Sequence, residues 1–344
     1  MQALRLIAIS TLVVGCQHAD AEDPPKPIKT DQIPLNEHAA LLPAVTVDSL
    51  TLTPVVATDA GMPKVDLDVM TLDEAFELKQ ISIKEKAEES VNNLTLTNKA
   101  QRPLFLLAGE VILGGKQDRI IGQNTIITAS TTQVVPVFCV EHGRWDQTSN
   151  EFTSGRALAH GRLRARASFA DQGAVWREVA AKNELRKTEN TTGTYRQVAQ
   201  QQSNGTLATS EDKIKTALAH VLPSDRARMI GYVVSLNSKI ATVDMFDSPK
   251  LFRKLEDKLV RSYLTDAVDT PADKIVKPPT PNDVLAFMAD ADKAVAQKSY
   301  ETDAAETTRY LGADKAYKST VELKMKGGGK AAKPVYKTYS KKSD

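Results

Sequence analysis

The sequence predicts an α+β protein in which an N-terminal antiparallel β-rich sandwich or incomplete barrel packs against a C-terminal α+β lobe. Three observations predict this fold. Short apolar runs separated by turn residues follow one another between residues 49 and 140. Long helical periodicity begins only after residue 150. A hairpin pattern followed by an amphipathic helix lies between residues 232 and 263.

The β-rich half is predicted to span residues 44–150. The segment SLTLTPVV from Ser49 alternates as a strand does. Thr71 and Glu74 form a capping box that starts a short helix. The continuous apolar run from Leu104 to Leu107, bounded by Pro103, is typical of a strand buried on both faces.

The stretch Pro103–Trp145 contains the candidate ligand-binding or catalytic residues. Glycines and charged residues lie at the ends of its apolar runs, where β-rich domains usually carry their sites. Glu110 and Glu141 could act as acid and base if the fold brings them together. Arg119 and Arg144 could hold a phosphate. The alternative is a structural network in which these arginines pair with the carboxylates. The candidates are Glu110, Gln117, Arg119, Glu141, Arg144 and Trp145, whose ring could stack on a ligand or pack in the core.

These residues also carry a family resemblance. The phrases LLAGE, GGKQDR and VFCVEHGRW resemble the central motifs of the ARG and Rhodanese-Phosphatase-superfamily-associated Protein domain, a largely bacterial family of unassigned activity. Further similar phrases extend the resemblance over about Val45–Val268. The family name implies, by association alone, a link to nucleotide or ADP-ribose metabolism. Asp118 replaces the asparagine of the family motif, which weakens a ligand role at that position.

The first residues resemble a bacterial lipoprotein signal peptide, which we assign to residues 1–15. The apolar run from Leu6 to Val14 is shorter than the ~20 residues that a membrane-spanning helix needs. Gly15 precedes Cys16, which is the predicted site of lipidation. Proline and charged residues in 16–43 predict a flexible tether. The protein is therefore expected to be exported and lipid-anchored to the cell envelope, at the outer membrane if the cell has one.

Composition excludes several classes of function. A formal net charge of +2 argues against a nucleic-acid partner. The two cysteines are Cys16 and Cys139, so acylation of the first leaves no disulfide within the chain, and Cys139 is expected to pack in the core. The sequence has no phosphate-binding glycine loop and no histidine pair at metal-ligand spacing. We therefore predict no cofactor and no metal.

The remaining chain is divided into three parts. Residues 151–268 form the predicted α+β half, with 153–168 and 189–209 expected as exposed loops. Residues 269–325 are predicted to contain a linker, a helix and a short strand, and 326–344 a disordered lysine-rich tail.

Three functions remain open, and the sequence does not decide whether the protein is an enzyme. The first is a membrane-anchored binding or scaffolding module. The second is an enzyme or binder that acts on a nucleotide or ADP-ribose-like ligand through the Glu, Gln and Arg residues of the motif. The third is a module that binds envelope glycan. Neither the small-molecule nor the envelope partner can be named from the sequence.

Overall fold

The computed structural model describes residues 32–63, 67–86, 92–146, 149–324 and 334–342. The predicted signal peptide, Cys16 and the first part of the predicted tether lie outside these residues. The helices are α1 (Leu72–Glu77), α2 (Gly161–Phe169), α3 (Gln172–Arg186), α4 (Arg196–Ser203), α5 (Ala208–Leu218), α6 (Pro223–Ala227), α7 (Pro249–Ala267) and α8 (Pro281–Asp292).

The strands mostly precede α2 or follow α8. They are β1 (Ile33–Pro34), β2 (Ala39–Leu41), β3 (Val45–Val47), β4 (Leu50–Ala57), β5 (Ile81–Glu85), β6 (Asn93–Asn98), β7 (Leu104–Leu106), β8 (Glu110–Gly114), β9 (Arg119–Ile121), β10 (Thr125–Ile127), β11 (Thr131–Cys139), β12 (Phe152–Leu158), β13 (Met229–Leu236), β14 (Lys239–Phe246), β15 (Ala296–Glu301), β16 (Ala305–Leu311), β17 (Ala316–Leu323) and β18 (Pro334–Lys341).

The predicted α+β class is confirmed. A six-stranded antiparallel sheet in the order β12-β8-β9-β11-β6-β5 curls into a half-barrel, and β7 pairs with β10. A ten-stranded sheet has the order β1-β2-β4-β13-β14-β18-β17-β16-β15, with β3 also paired to β4. Because β4 pairs with β13, strands from both predicted halves share one sheet, and residue 150 is not a boundary between sheets.

Local signals produce several elements at the expected places. Thr71 accepts a hydrogen bond from the Glu74 amide while the Glu74 carboxylate accepts from the Thr71 amide, both at 3.4 Å. The β13–β14 hairpin turns at Asn237 and Ser238, whose φ angles of 46° and 67° lie in the left-handed region. The Ser248 hydroxyl caps α7 by accepting from the Leu251 amide at 3.2 Å.

Helix α7 links the two sheets through its buried face. Leu251, Phe252, Leu255 and Leu259 lie in the main apolar core, which also contains side chains from β4, β7 and β13. From the same helix, the Tyr263 hydroxyl donates to Asp244 of β14 at 2.5 Å. The helix therefore fixes the position of the ten-stranded sheet relative to the half-barrel.

Asp244 lies in a fully enclosed polar cluster beneath α7. Arg164 of α2 donates to both Asp244 oxygens at 3.1 Å, and Tyr336 of β18 also donates to this carboxylate. Burial opposes the charge of Asp244, but Arg164 and the two tyrosines outweigh it and lower the pKa of the carboxyl. This cluster joins α2, α7, β14 and the last strand of the described chain.

Two predictions at the ends of the fold are wrong. The predicted disordered tail contains β18, which is inserted between β14 and β17, and its Tyr336 is buried. The predicted tether contains β1 and β2, and the three residues of β2 are buried. Pairing of these short strands with neighbours in the ten-stranded sheet, rather than local composition, decided both outcomes.

Two predicted exposed loops are also partly helical. Residues 153–168 contain most of α2, and 189–209 contain α4. Both helices are polar in composition, yet α2 buries Leu163 and Arg164, and α4 buries Val198 and Ala199. Tertiary contacts therefore stabilise helices that have little local signal. Among the described residues, no helix combines the length and apolar character needed to cross a membrane.

Candidate functional site

Asp118 lies at the centre of the polar motif. Its carboxylate accepts from Arg196 Nε at 2.8 Å and Nη2 at 2.7 Å, from the Thr194 hydroxyl at 3.0 Å and from the Gly114 amide at 3.1 Å. Arg144 Nη2 lies 3.5 Å from the same carboxylate. The hydrogen bonds that Arg196 donates to Asp118 raise the pKa of Arg196. Asp118 is therefore a buried acceptor shared by residues of three separate segments.

Glu141 adds a second carboxylate to this cluster. Arg144 donates to Glu141 Oε2 from Nε at 2.9 Å and lies 2.6 Å from it through Nη2. The Asp118 amide donates to the same oxygen at 3.0 Å, and Gln117 Nε2 donates to the Glu141 carbonyl at 2.6 Å. Burial favours the neutral acid, but the bonds from Arg144 and Asp118 outweigh it and lower the pKa of Glu141.

Arg119 lies on the inner side of the cluster and is only 1% exposed. Its Nη1 donates to Gln117 Oε1 at 3.2 Å, and its Nη2 lies 3.8 Å from Glu85. Arg119 Nε is buried without a hydrogen-bond partner. We call Gln117, Asp118, Arg119, Glu141, Arg144, Thr194 and Arg196 the Asp118 network.

Strand pairing and tight turns assemble this network. In the β9–β11 pair, Cys139 lies opposite Arg119, so the residues after Cys139 lie beside Asp118. A bridge between Glu141 and Thr194 brings in the segment that carries Arg196. Gly115 turns the chain with a φ of 55°, and a Cβ there would lie 2.6 Å from Glu85 Oε1. Only glycine fits this turn without moving its neighbours.

Glu110 is not part of the Asp118 network. Its carboxylate accepts from Lys258 of α7 at 2.8 Å and from the Leu107 amide at 2.9 Å. Lys258 also lies 2.6 Å from Asp73 of α1. Burial raises the pKa of Glu110, against the effect of Lys258. Burial also opposes the charge of Lys258, but Glu110 and Asp73 outweigh it and raise its pKa. The two glutamates proposed as an acid and base pair therefore serve different ion pairs.

Trp145 is the candidate that faces solvent, with 50% of its surface exposed. The Lys116 ammonium lies 5.7 Å from its ring centroid. Arg144 Nη1 donates to the carbonyls of Gly115 and Asp146, each at 2.9 Å, and so ties together the two turns that carry these side chains. Of the two alternatives for Trp145, packing in the core is therefore wrong.

Asp118, Thr194 and Arg196 were missed as candidates. The family resemblance implies an asparagine at position 118 and so a weakened ligand role for Asp118, whereas the structure makes Asp118 the shared acceptor of the network. Arg196 and Thr194 lie more than 70 residues away in sequence, and no local pattern marks them. Their contribution depends on tertiary contact alone.

Three further features of the described chain bear on its chemistry: the thiol of Cys139, the arrangement of possible metal ligands and a cavity. Cys139 is buried in the core, as expected, and burial raises the pKa of its thiol to about 11. Within the described ranges, no group of three or more histidine, cysteine or acidic residues is arranged to hold a metal ion. A hollow of about 380 Å³ lies between α5, α6 and α7, away from the Asp118 network.

A family model described as ARG and Rhodanese-Phosphatase-superfamily-associated Protein domain matches residues 38–331. The chain belongs to this family. The match begins before and ends well after the Val45–Val268 range of the sequence resemblance, so the family domain includes α8 and β15–β17. No curated protein and no solved structure matches the chain.

Proposed function

We propose that this family member is a lipid-anchored, exported bacterial protein whose body binds a partner at the cell envelope rather than converting a substrate. The observation that carries the proposal is the closure of the Asp118 network. Four residues of the network, Gln117, Asp118, Arg119 and Glu141, are at most 4% exposed. Its two carboxylates are paired with its own arginines, Asp118 with Arg196 and Glu141 with Arg144.

The energy of these pairs argues against a ligand role for the motif. A ligand phosphate that took Arg144 or Arg196 would leave Asp118 or Glu141 without its cation. Removing one partner of a buried ion pair typically costs roughly 3–5 kcal/mol. The network is therefore better suited to holding β9, β11 and α4 together than to releasing its arginines to a nucleotide.

The lipid anchor is supported by the sequence pattern that ends in Gly15 and Cys16. Several acyl chains on one cysteine give stable membrane attachment, since each buried CH₂ adds ~0.8 kcal/mol. The anchor places the protein in the cell envelope, at the outer membrane where the cell has one.

A Cys16→Ser variant tests the anchor. Full-length protein produced in a bacterium is expected in the membrane fraction with the added mass of acyl chains, whereas Cys16→Ser is expected in the soluble fraction without it. Cys139→Ser is the matched control, because Cys139 is buried in the folded body. Unchanged mass and membrane association in Cys16→Ser would exclude the anchor.

The binding role is tested against the nucleotide alternative with ADP-ribose and nucleoside phosphates. The full chain is expected to show no turnover with them, and any thermal shift should be the same in Glu141→Gln as in the wild type. Turnover or a thermal shift that disappears in Glu141→Gln would show that the motif is a nucleotide site, and the binding proposal would then fail.

A second candidate function is binding of envelope glycan, and the position of Trp145 favours it. The indole ring is half exposed and can stack on a sugar ring, and the Lys116 ammonium beside it can bind an acidic group of that sugar. Sedimentation with isolated cell wall should recover the wild type and lose Trp145→Ala. Leu78→Ala, at a comparably exposed apolar side chain, is the control. Equal recovery of Trp145→Ala and the wild type would exclude this surface.

A further inference from the structure

A row of cations and aromatic rings lies between α2 and the C-terminal part of the ten-stranded sheet. Arg309 Cζ lies 6.0 Å from the centroid of Phe169, and the Phe169 and Tyr317 rings are 5.1 Å apart at 44°. On the other side, the Lys342 ammonium lies 5.8 Å from the Tyr317 ring. All four side chains are partly exposed, so they line a surface rather than the core.

Arg309 is the unusual member of this row. Among the described residues, no carboxylate lies within ion-pair distance of its guanidinium, and its Nε is buried without a hydrogen-bond partner. Burial lowers the pKa of Arg309, with no charged neighbour contributing. By contrast, the buried Arg164 donates to both oxygens of Asp244. Buried polar groups are normally hydrogen-bonded, so the unpaired Nε of Arg309 requires an explanation.

The aromatic rings do not meet this requirement. A ring face attracts the positive charge of a guanidinium but does not accept its in-plane N–H groups as an oxygen does. The fork of N–H donors on arginine matches the two oxygens of a carboxylate or phosphate. Lys342 supplies a second positive charge in the same row, and Phe169 and Tyr317 supply flat apolar surface for a ring.

We propose that Arg309, Lys342, Phe169 and Tyr317 form a binding site for a small oxyanion carried on a ring, that is, a phosphate or carboxylate attached to a sugar or a nucleoside. The oxyanion binds the donors of Arg309, and the attached ring lies against Phe169 and Tyr317. This site is separate from the Asp118 network and does not depend on the function proposed above. It is equally distinct from the surface around Trp145.

Calorimetric titration of the full chain tests the proposal with three probes: inorganic phosphate, adenosine monophosphate and glucuronic acid. We expect saturable binding of at least one ring-bearing probe, tighter than that of inorganic phosphate. Arg309→Gln should weaken it at least tenfold, and Phe169→Leu should reduce the advantage of the ring-bearing probe over phosphate. The relative affinities of the nucleotide and the sugar acid identify the source of the oxyanion.

Arg253→Gln is the control, since it removes a cation from an exposed position on α7. If Arg309→Gln does not fold, Lys342→Gln at the other end of the row supplies the comparison. Three outcomes overturn the proposal. They are the absence of saturable binding by the wild type up to about 10 mM of each probe, binding unchanged in the folded variants, and binding of inorganic phosphate alone. If the wild type shows no saturable binding and Arg309→Gln has a lower melting temperature than the wild type, the row only joins α2 to the sheet.

Discussion

Replacing Asp118 with asparagine removes the shared carboxylate of the Asp118 network while keeping its size. The carboxylate receives four hydrogen bonds at 2.7–3.1 Å, two of them from Arg196. An asparagine keeps one acceptor oxygen but loses the charge and presents an amide to a guanidinium. Loss of one partner of a buried ion pair costs roughly 3–5 kcal/mol. Because 39% of the Arg196 side chain is exposed and can regain water, we expect about 3 kcal/mol.

Urea unfolding followed by far-UV circular dichroism measures this free energy. A loss of about 3 kcal/mol corresponds to a decrease of roughly 6 °C in melting temperature for a chain of this size. Arg196→Gln leaves Asp118 beside Arg144, so it should cost less, about 1–2 kcal/mol. Both changes remove the same contact, so the double variant should lose at least 1 kcal/mol less than the two single variants lose together. Independent sites add to within roughly 0.5 kcal/mol, so this difference would show that the two residues are coupled.

Asp257→Asn is the matched control. Asp257 is exposed on α7, and its replacement should change the free energy of unfolding by less than about 0.5 kcal/mol. If Asp118→Asn loses less than about 1 kcal/mol, or if the double variant is additive, the network does not hold these segments together as we infer.

Four further outcomes are expected. Lys258→Met should lose about 3 kcal/mol at pH 7. The loss should shrink as the pH falls toward 4.5, because Glu110, whose pKa is raised above that ordinary value, takes up a proton in the folded state; a loss independent of pH would contradict this assignment. Tyr336→Phe should lose roughly 1.5–3 kcal/mol in thermal or urea unfolding, and an unchanged free energy would show that β18 is not held by Asp244. The pKa of Glu141 is lowered, so this carboxylate stabilises the fold above pH 4.5, and the contribution is lost as the pH falls through the pKa of the folded state. In an acid titration, Glu141→Gln should therefore lose stability less steeply below pH 4.5 than the wild type does. Parallel curves for the two proteins would contradict this. Trp145→Ala should unfold within about 0.5 kcal/mol of the wild type, and a larger loss would mean that the ring stabilises the fold.

Elements whose signals lie within a few residues could be predicted from the sequence. The capping box at Thr71, the hairpin turn at Asn237 and the cap of α7 at Ser248 each depend on contacts between near neighbours in the chain. The α+β class followed from the same local patterns. In each case the physical cause is a side chain or backbone conformation that acts within one turn.

The sequence predicted a polar, interconnected motif but not all of the residues that form it. Glu110 and Glu141 both follow apolar runs, and the sequence gives no measure of which cation each one meets. Lys258 comes to Glu110 from α7, and Arg196 comes to Asp118 from α4. The partners lie far along the chain, so only the packing of those helices against the half-barrel determines them.

Composition also misled the prediction at the C-terminus. Residues 334–341 contain lysines, which indicated a tail, yet the strand they form buries Tyr336 and Tyr339. Tyr336 and Tyr339 are three residues apart, so they lie on opposite faces of the strand and each packs in a different apolar cluster. Strand pairing with β14 and β17 on both sides supplies the stability that composition did not suggest.

The sequence by itself determined the family, the α+β class and the short-range caps and turns, because these depend on residue types and on spacings within one element. The tertiary structure alone decided which partner each charged group of the motif meets, that Trp145 faces solvent and that Arg309 Nε is buried without a hydrogen-bond partner. Burial and ion pairing depend on which distant segments meet, and the free energy of a charged group changes by several kcal/mol with that choice.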